Sequence, residues 1–392
     1  MGKTPKLTKA QVVEQELSAS IIEYFADVED PRREHTRKHS LETILGLSLC
    51  AVVCGADSFV GIEDFGHAKE AWLKTFLDLS NGIPSHDTLG RVFSALNPDA
   101  LSEAFRKWVA EVARLTKGEV VAIDGKTLRH SFREAGSSAF VHMVSAWATS
   151  NHVVLGQVKT EEKSNEITAI PRLLELLNIK GCLVTIDAMG CQKDIAAGIV
   201  EAEADYLLAV KDNQPTLNNN VAAIFEHALR DTGKLGVDFH ETRDKGHGRT
   251  EVRRCWTSDL VQSLPQVNEW ESLNSIVMIE SERTVGAQTS TERRYYICSR
   301  ANLSAKEALC SARSHWGIEN QLHWVLDVAF REDDCRVRAG FAAQNFSVMR
   351  QMALNLLKAV TGVNAGIHRR RLRAGWDHDF LLRVLAASPN GK

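Results

Sequence analysis

The stretch GEVVAIDGKTLRHS, Gly118 to Ser131, sets the fold class. Val120 to Ile123 form a continuous apolar run, the pattern of a strand buried on both faces, and the run ends on Asp124, Gly125 and Lys126. A second run of the same form, CLVTID, ends on Asp187. Between them, FVHMVSAWAT and HVVLGQVKT flank a Ser-Asn turn and read as a hairpin, followed by a helical pattern in EITAIPRLLELLNI. After Asp187 come a helix, CQKDIAAGIVEAEA, and a strand, DYLLAVK. Three consecutive strands, then helix, strand, helix, strand, predict a mixed α/β sheet.

Working outward, residues 1–115 carry apolar positions at helical spacing and predict an all-helical N-terminal domain. Within it Ser85 precedes a short helix carrying His86, Thr88 and Arg91, which suits either a packing helix or a DNA-reading one. Residues 116–212 hold the first part of the sheet domain. Residues 213–302 break the alternation with short strand-like pieces (RTEVRRCWTS, SLNSIVMIESERT, RRYYICSR) and polar loops such as DKGHGRT, and read as a β-rich insertion. Helical spacing returns over 303–392, with Ser304 as N-cap of SAKEALCSARSHWGIENQLHWVLDVAF.

Composition places the chain among ordinary globular proteins: 44% hydrophobic and 25% charged residues over 392 positions. No apolar run is long enough to span a bilayer and the first residues are polar, which predicts a cytoplasmic protein with no membrane partner. The eight cysteines lack paired CxxC spacing and read as reduced, mostly buried thiols. A net charge of -3 gives no global sign of a nucleic-acid partner. From Arg331 onward, however, eleven Lys/Arg face five acids, and the run His368-Arg369-Arg370-Arg371 suits a DNA backbone or a solvated basic segment equally.

Asp124 and Asp187 each follow a core strand. If those strands are parallel neighbours, the two carboxylates meet at their carboxyl ends, where they repel each other unless a cation lies between them. Hard divalent ions with oxygen ligands, Mg²⁺ above all, suit that arrangement. Glu319 borders the face of Ile318, Leu322 and Leu326 in its helix and is the candidate third carboxylate, with Asp327 in reserve. Asp187 is equally suited to capping the helix that follows it. His315 and His323 flank Glu319 without the HExxH spacing of a zinc helix.

The segments SHDTLGRVF, IDGKTLRHS, KSNEITAIP, TIDAMGCQKDIA, DYLLAVKDNQ and HWGIENQLHWVLDVAFRED resemble those of the H-repeat-associated transposases, bacterial insertion-sequence enzymes of the DDE superfamily. The likeness runs from about Leu17 to the last helix. It implies a ribonuclease-H-like catalytic domain with flanking helices, metal-dependent DNA strand cleavage and strand transfer, and a catalytic, metal-holding triad of Asp124, Asp187 and Glu319. It further implies two Mg²⁺ or Mn²⁺ ions, which serve the attacking and leaving oxygens, element ends and target DNA as double-stranded partners, a homodimer pairing two ends, and nucleoid association when DNA-bound. The candidate DNA contacts are Lys126, Arg129, Lys163, Lys211, Arg313, His315, Arg369, Arg370 and Arg371. Related transposases with a β insertion carry a Tyr-x2-Arg-x3-Glu-x6-Lys pattern, whose positions here hold Ala312, His315, Glu319 and Leu326. A stand-alone nuclease of the same fold and an inactive DNA-binding remnant of an insertion element are the alternative readings.

Overall fold

The computed structural model of the protein describes residues 22–113, 115, 117–129, 140–160, 166–230, 236–246 and 248–387. Four helices come first: α1 (Leu41–Val53), α2 (Phe59–Leu73), α3 (His86–Ala95) and α4 (Pro98–Val112). Each starts on a side chain that accepts a backbone N–H of the first turn, Ser40, Ser58, Ser85 and Asn97 in order, and Pro98 opens α4 where a missing N–H costs nothing.

The sheet begins with β1 (Val120–Leu128), β2 (Val141–Ala148) and β3 (Val153–Lys159). The β2–β3 turn is fixed by the Glu119 carboxylate, which accepts the N–H of Ser150 at 2.8 Å. Helix α5 (Glu166–Glu175), strand β4 (Leu183–Ile186), helix α6 (Lys193–Glu201) and strand β5 (Asp205–Val210) follow. β4 lies beside β1 and β5, parallel to both. Every residue of β4 is buried, as a strand covered on both faces requires.

Past β5 the fold departs from the sequence expectation. PTLNNNVAAIFEHALR is a helix, α7 (Pro215–Arg230), whose buried Leu217, Val221, Phe225 and Ala228 keep helical spacing. The strand-like pieces are long antiparallel strands: β6 (Val237–Gly246), β7 (Arg249–Ser258), β8 (Ser275–Val285) and β9 (Gln288–Cys298). Of the polar stretch read as a loop, Asp244 to Gly246 belong to β6 and Arg249 and Thr250 to β7, with Gly246 paired to Arg249 and Gly248 at φ +73°; His247 lies outside the described residues. β9 pairs with β5, so one nine-stranded sheet runs in the order β3-β2-β1-β4-β5-β9-β8-β7-β6. Cross-strand ion pairs hold the charged half of the hairpins: Arg254 reaches Glu241, Glu280 and Glu282 within 3.1 Å.

Helix α8 (Ala305–Ile318), capped by Ser304, crosses one face of the sheet over Leu183, Leu207 and Val277. A π-helical turn (Glu319–His323) joins it to α9 (Trp324–Phe330). The last helices are α10 (Ala342–Ala359), α11 (Ile367–Trp376) and α12 (His378–Leu385). Almost all of α10 is buried, between β3 and helices α1, α3 and α4. The helices before residue 115 therefore share one continuous hydrophobic core with the sheet and the C-terminal helices. Among the described residues no helix is long and apolar enough to cross a membrane.

Candidate active site

β1 and β4 stay in parallel register through Ile123 and Ile186, and the next residue on each is an aspartate. Ala122 pairs with Thr185, so by strand alternation Asp124 and Asp187 both face α8. Asp187 also caps the short turn after β4, its Oδ1 accepting the N–H of Met189 at 3.0 Å and of Gly190 at 3.4 Å. The capping that the sequence offered for Asp187 is therefore present.

One detail corrects the sequence reading. β1 does not stop at Asp124 but continues beside β2 to Leu128; only the pairing with β4 stops at Ile123. Asp124 lies where the sheet opens on one side. Gly125 leaves room for its neighbours: a Cβ there would overlap the Glu166 carboxylate and the His142 ring, which meet over it at 2.8 Å.

Glu319 starts the π-helical turn, and His323 ends it. His323 Nδ1 lies 3.4 Å from Asp124 Oδ2 and 3.4 Å from Glu319 Oε2. Asp124, Asp187 and Glu319 line one cavity of about 220 Å³, together with Thr185, Lys211, Arg294 and His315. The Asp124 carboxyl is pushed up to about 7, first by burial and then by the neighbouring charges of Glu166, Asp187 and Glu319. Carboxylates that converge without a cation behave in this way, and their hard oxygen donors fit Mg²⁺ or Mn²⁺. The residues present therefore suit a divalent metal.

The other expected residues divide sharply. Lys211 and His315 line the cavity, and His315 Nδ1 is 3.1 Å from Thr185 Oγ1. Burial holds the His315 imidazole below its usual range, against the pull of Asp187. Arg313 is exposed and reaches Asp244 at 3.2 Å; exposed Arg129 lies 3.4 Å from Asp333. Lys163 lies outside the described residues. Lys126 does not face solvent: its ammonium pairs with Asp327 and, at 3.1 Å, with fully buried Glu332, and donates to the His323 carbonyl at 3.3 Å. Asp327, the reserve acid, is taken up in that pair while Glu319 lines the cavity.

Of the three consecutive arginines of the basic run, Arg369 is exposed, beside exposed His368, while Arg370 is half-buried and Arg371 buried. Arg370 donates to the carbonyls of Leu357, Val360, Val363 and Ala365 at the end of α10. Arg371 is buried, donating to the carbonyls of Val52, Ala56 and Ala329 with its guanidinium over Phe330. These two arginines cap helix ends, where unpaired carbonyls need donors. Their guanidinium groups are thus engaged within the fold, whereas the sequence reading offers them as candidate DNA contacts. Ile367, Arg371 and Ala374, at helical spacing, carried the signal. In the same way the basic excess after Arg331 is partly internal, since Arg350 is buried beside Glu332.

Sequence reasoning passed over Glu166, Glu332 and Arg294 and left His323 as a weak zinc candidate. Glu166 is the first residue of α5 and sits over Gly125; Arg294 projects from β9 into the cavity with its guanidinium over Trp316. Neither placement has a local sequence signal, because Glu166 depends on how α5 packs against β2 and β3 and Arg294 on the pairing of β9 with β5.

Comparison with known proteins follows the same lines. The family described as "Transposase DDE domain" matches residues 115–356, and the one described as "DDE_Tnp_1-associated" matches residues 22–109. The chain is 43% identical over 378 residues to "Putative transposase YncI" of Escherichia coli O157:H7, covering 94% of this chain and 95% of that relative. It is 41% identical over 373 residues to "H repeat-associated putative transposase YhhI" of Escherichia coli K12, covering 94% of this chain and 98% of the relative. Among solved structures, a piggyBac transposase synaptic complex with hairpin DNA aligns at 9% identity and a TM-score of 0.39, over 94% of this chain and 78% of that one.

Proposed function

This chain belongs to the DDE transposase family, and from that premise we propose that it binds the ends of an insertion element and catalyses DNA strand cleavage and strand transfer. The observation that carries the reading is the in-register end of the β1–β4 pair, which sets Asp124 and Asp187 side by side beneath Glu319. We read the core sheet, with its order β3-β2-β1-β4-β5, as ribonuclease-H-like and the β6–β9 hairpins as its insertion.

In this reading Asp124, Asp187 and Glu319 would together hold divalent metal, with two ions proposed. When bound, such ions supply charge neutralisation and water activation for phosphodiester chemistry. The chain's own residues do the rest. The buried β1–β4 pair holds the two aspartates rigidly, and the Lys126–Asp327–Glu332 cluster anchors the turn after Glu319 to β1. Lys211 and Arg294, at the cavity, are placed for phosphate oxygens. Arg369 is an outer backbone contact. Pairing two element ends calls for a dimer on DNA.

The test incubates purified protein with DNA carrying the element ends and Mg²⁺ or Mn²⁺, and resolves nicked and joined strands on denaturing gels. Wild type yields 3′-hydroxyl ends and joined products, whereas Asp124→Asn, Asp187→Asn and Glu319→Gln yield neither. Equal cleavage by the three variants overturns the triad. Cleavage without joining points to a nuclease, and binding without nicking to a DNA-binding remnant.

A further inference from the structure

Resting on the reading of Asp124 and Glu319 as metal ligands, we propose that His323 is a further ligand, binding through Nδ1 the ion those two carboxylates share, and that this nitrogen tilts the site toward Mn²⁺ over Mg²⁺.

The spacing suits cis ligands of one ion and is longer than that of a settled hydrogen bond. His323 Nδ1 stands 3.4 Å from Asp124 Oδ2 and the same distance from Glu319 Oε2. Donors about 2.0–2.3 Å from a common ion, at angles near 90–100°, are roughly 3–3.4 Å apart. An N–H donor settled on a carboxylate instead sits at about 2.9 Å. The three side chains also form the one group of three or more Asp, Glu, His or Cys among the described residues whose ligand atoms all lie within 4.8 Å of one another.

Burial gives an independent reason. The His323 side chain is 6% exposed, and its Nε2 has no hydrogen-bond partner. Buried polar side chains nearly always find partners, so an imidazole with one orphan nitrogen and the other at long range from two carboxylates is incomplete as it stands. An ion between Nδ1 and the carboxylates gives Nδ1 a close partner; Nε2 lies outside that contact. The π-helical turn that begins at Glu319 and ends at His323 keeps both side chains on Asp124, and such turns concentrate at functional sites. His315, the imidazole that lines the cavity, is instead engaged by Thr185 at 3.1 Å.

The consequence for metal choice follows from donor chemistry. Mg²⁺ takes oxygen donors and keeps its waters, whereas first-row transition ions accept imidazole readily. An Asp-Glu-His set favours Mn²⁺ where an all-carboxylate set would not discriminate.

The experiment is pulsed EPR on the full-length protein loaded with Mn²⁺ in the absence of DNA. The expected result is ¹⁴N modulation of the Mn²⁺ echo, replaced by the ¹⁵N pattern in wild-type protein grown on ¹⁵N-histidine, which requires no substitution in the core. The modulation persists in His315→Gln and disappears in His323→Gln, with Mn²⁺ affinity falling about 10-fold or more and Mg²⁺ affinity changing less. Mn²⁺ bound with no histidine nitrogen overturns the inference and leaves the carboxylate site standing, as does modulation that survives in a folded His323→Gln. Failure of wild type to bind Mn²⁺ at all, under conditions where it melts cooperatively, overturns both.

Discussion

Replacing Asp124 by Asn should stabilise the metal-free protein, and the gain should depend on pH. The Asp124 carboxyl is pushed from 3.8 to about 7 in the fold by burial and by Glu166, Asp187 and Glu319. Between those two values the folded protein holds a proton that the unfolded chain has released, so stability falls as pH rises from about 4 to about 7 and is level above it. A shift of about three units corresponds to roughly 4 kcal/mol. The side chain keeps 24% of its surface in water, which lowers the expected effect toward about 2 kcal/mol. For a chain of this length that is about 2–5 °C in melting temperature. Thermal melts in EDTA should therefore show Asp124→Asn melting above wild type at pH 8 and level with it near pH 4.5. Mg²⁺ or Mn²⁺ should raise the melting temperature of wild type at pH 8 and not that of the variant. A variant no more stable at pH 8, or a gain that is the same at both pH values, would refute the account of Asp124 as an ionised group held among like charges.

Further predictions rest on other contacts. Lys126→Met leaves buried Glu332 with only Arg350, 3.6 Å away, for a counter-charge, and should cost about 3–5 kcal/mol in chemical denaturation; Glu332→Gln in the same background should recover part of it. Arg371→Met strips the donors from the Val52 and Ala329 carbonyls and should lower the melting temperature. Arg369→Ala should leave the melt unchanged, weaken binding to duplex DNA, and reduce the slope of log affinity against log salt by about 1. Gly125→Ala forces Glu166 and His142 aside and should destabilise by about 1–3 kcal/mol, measured by urea denaturation.

How far the sequence reaches is clearest at individual residues. Asp124 and Asp187 were legible because apolar runs of the same form precede them, and two buried strands linked by a hairpin and a helix have few ways to pair. Glu319 was legible from its place beside the apolar face of α8. His323 shares a helix side with Glu319 by spacing alone, but its approach to Asp124 depends on how that helix packs on β1, which the sequence does not show. Lys126 read as a loop cation because its partners Asp327 and Glu332 lie some 200 residues away in sequence. The opposite error at Arg370 and Arg371 has the same origin: a run of arginines looks like a surface until the helix ends that it caps are known. The β6–β9 strands were seen as fragments because their outer halves alternate charge with charge, and the ion pairs that make those positions compatible with a sheet form only between strands.

The central claim is that Asp124, Asp187 and Glu319, from three distant parts of the chain, hold divalent metal together. Iron-mediated cleavage of the polypeptide tests it most directly: Fe²⁺ replaces Mg²⁺, ascorbate and peroxide generate hydroxyl radical at the ion, and the fragments are mapped by mass. The account predicts cuts clustered at all three segments, around residues 124, 187 and 319, suppressed by excess Mg²⁺ and absent in Asp124→Asn. Cuts confined to one segment, or a pattern unchanged by Asp124→Asn, would contradict it.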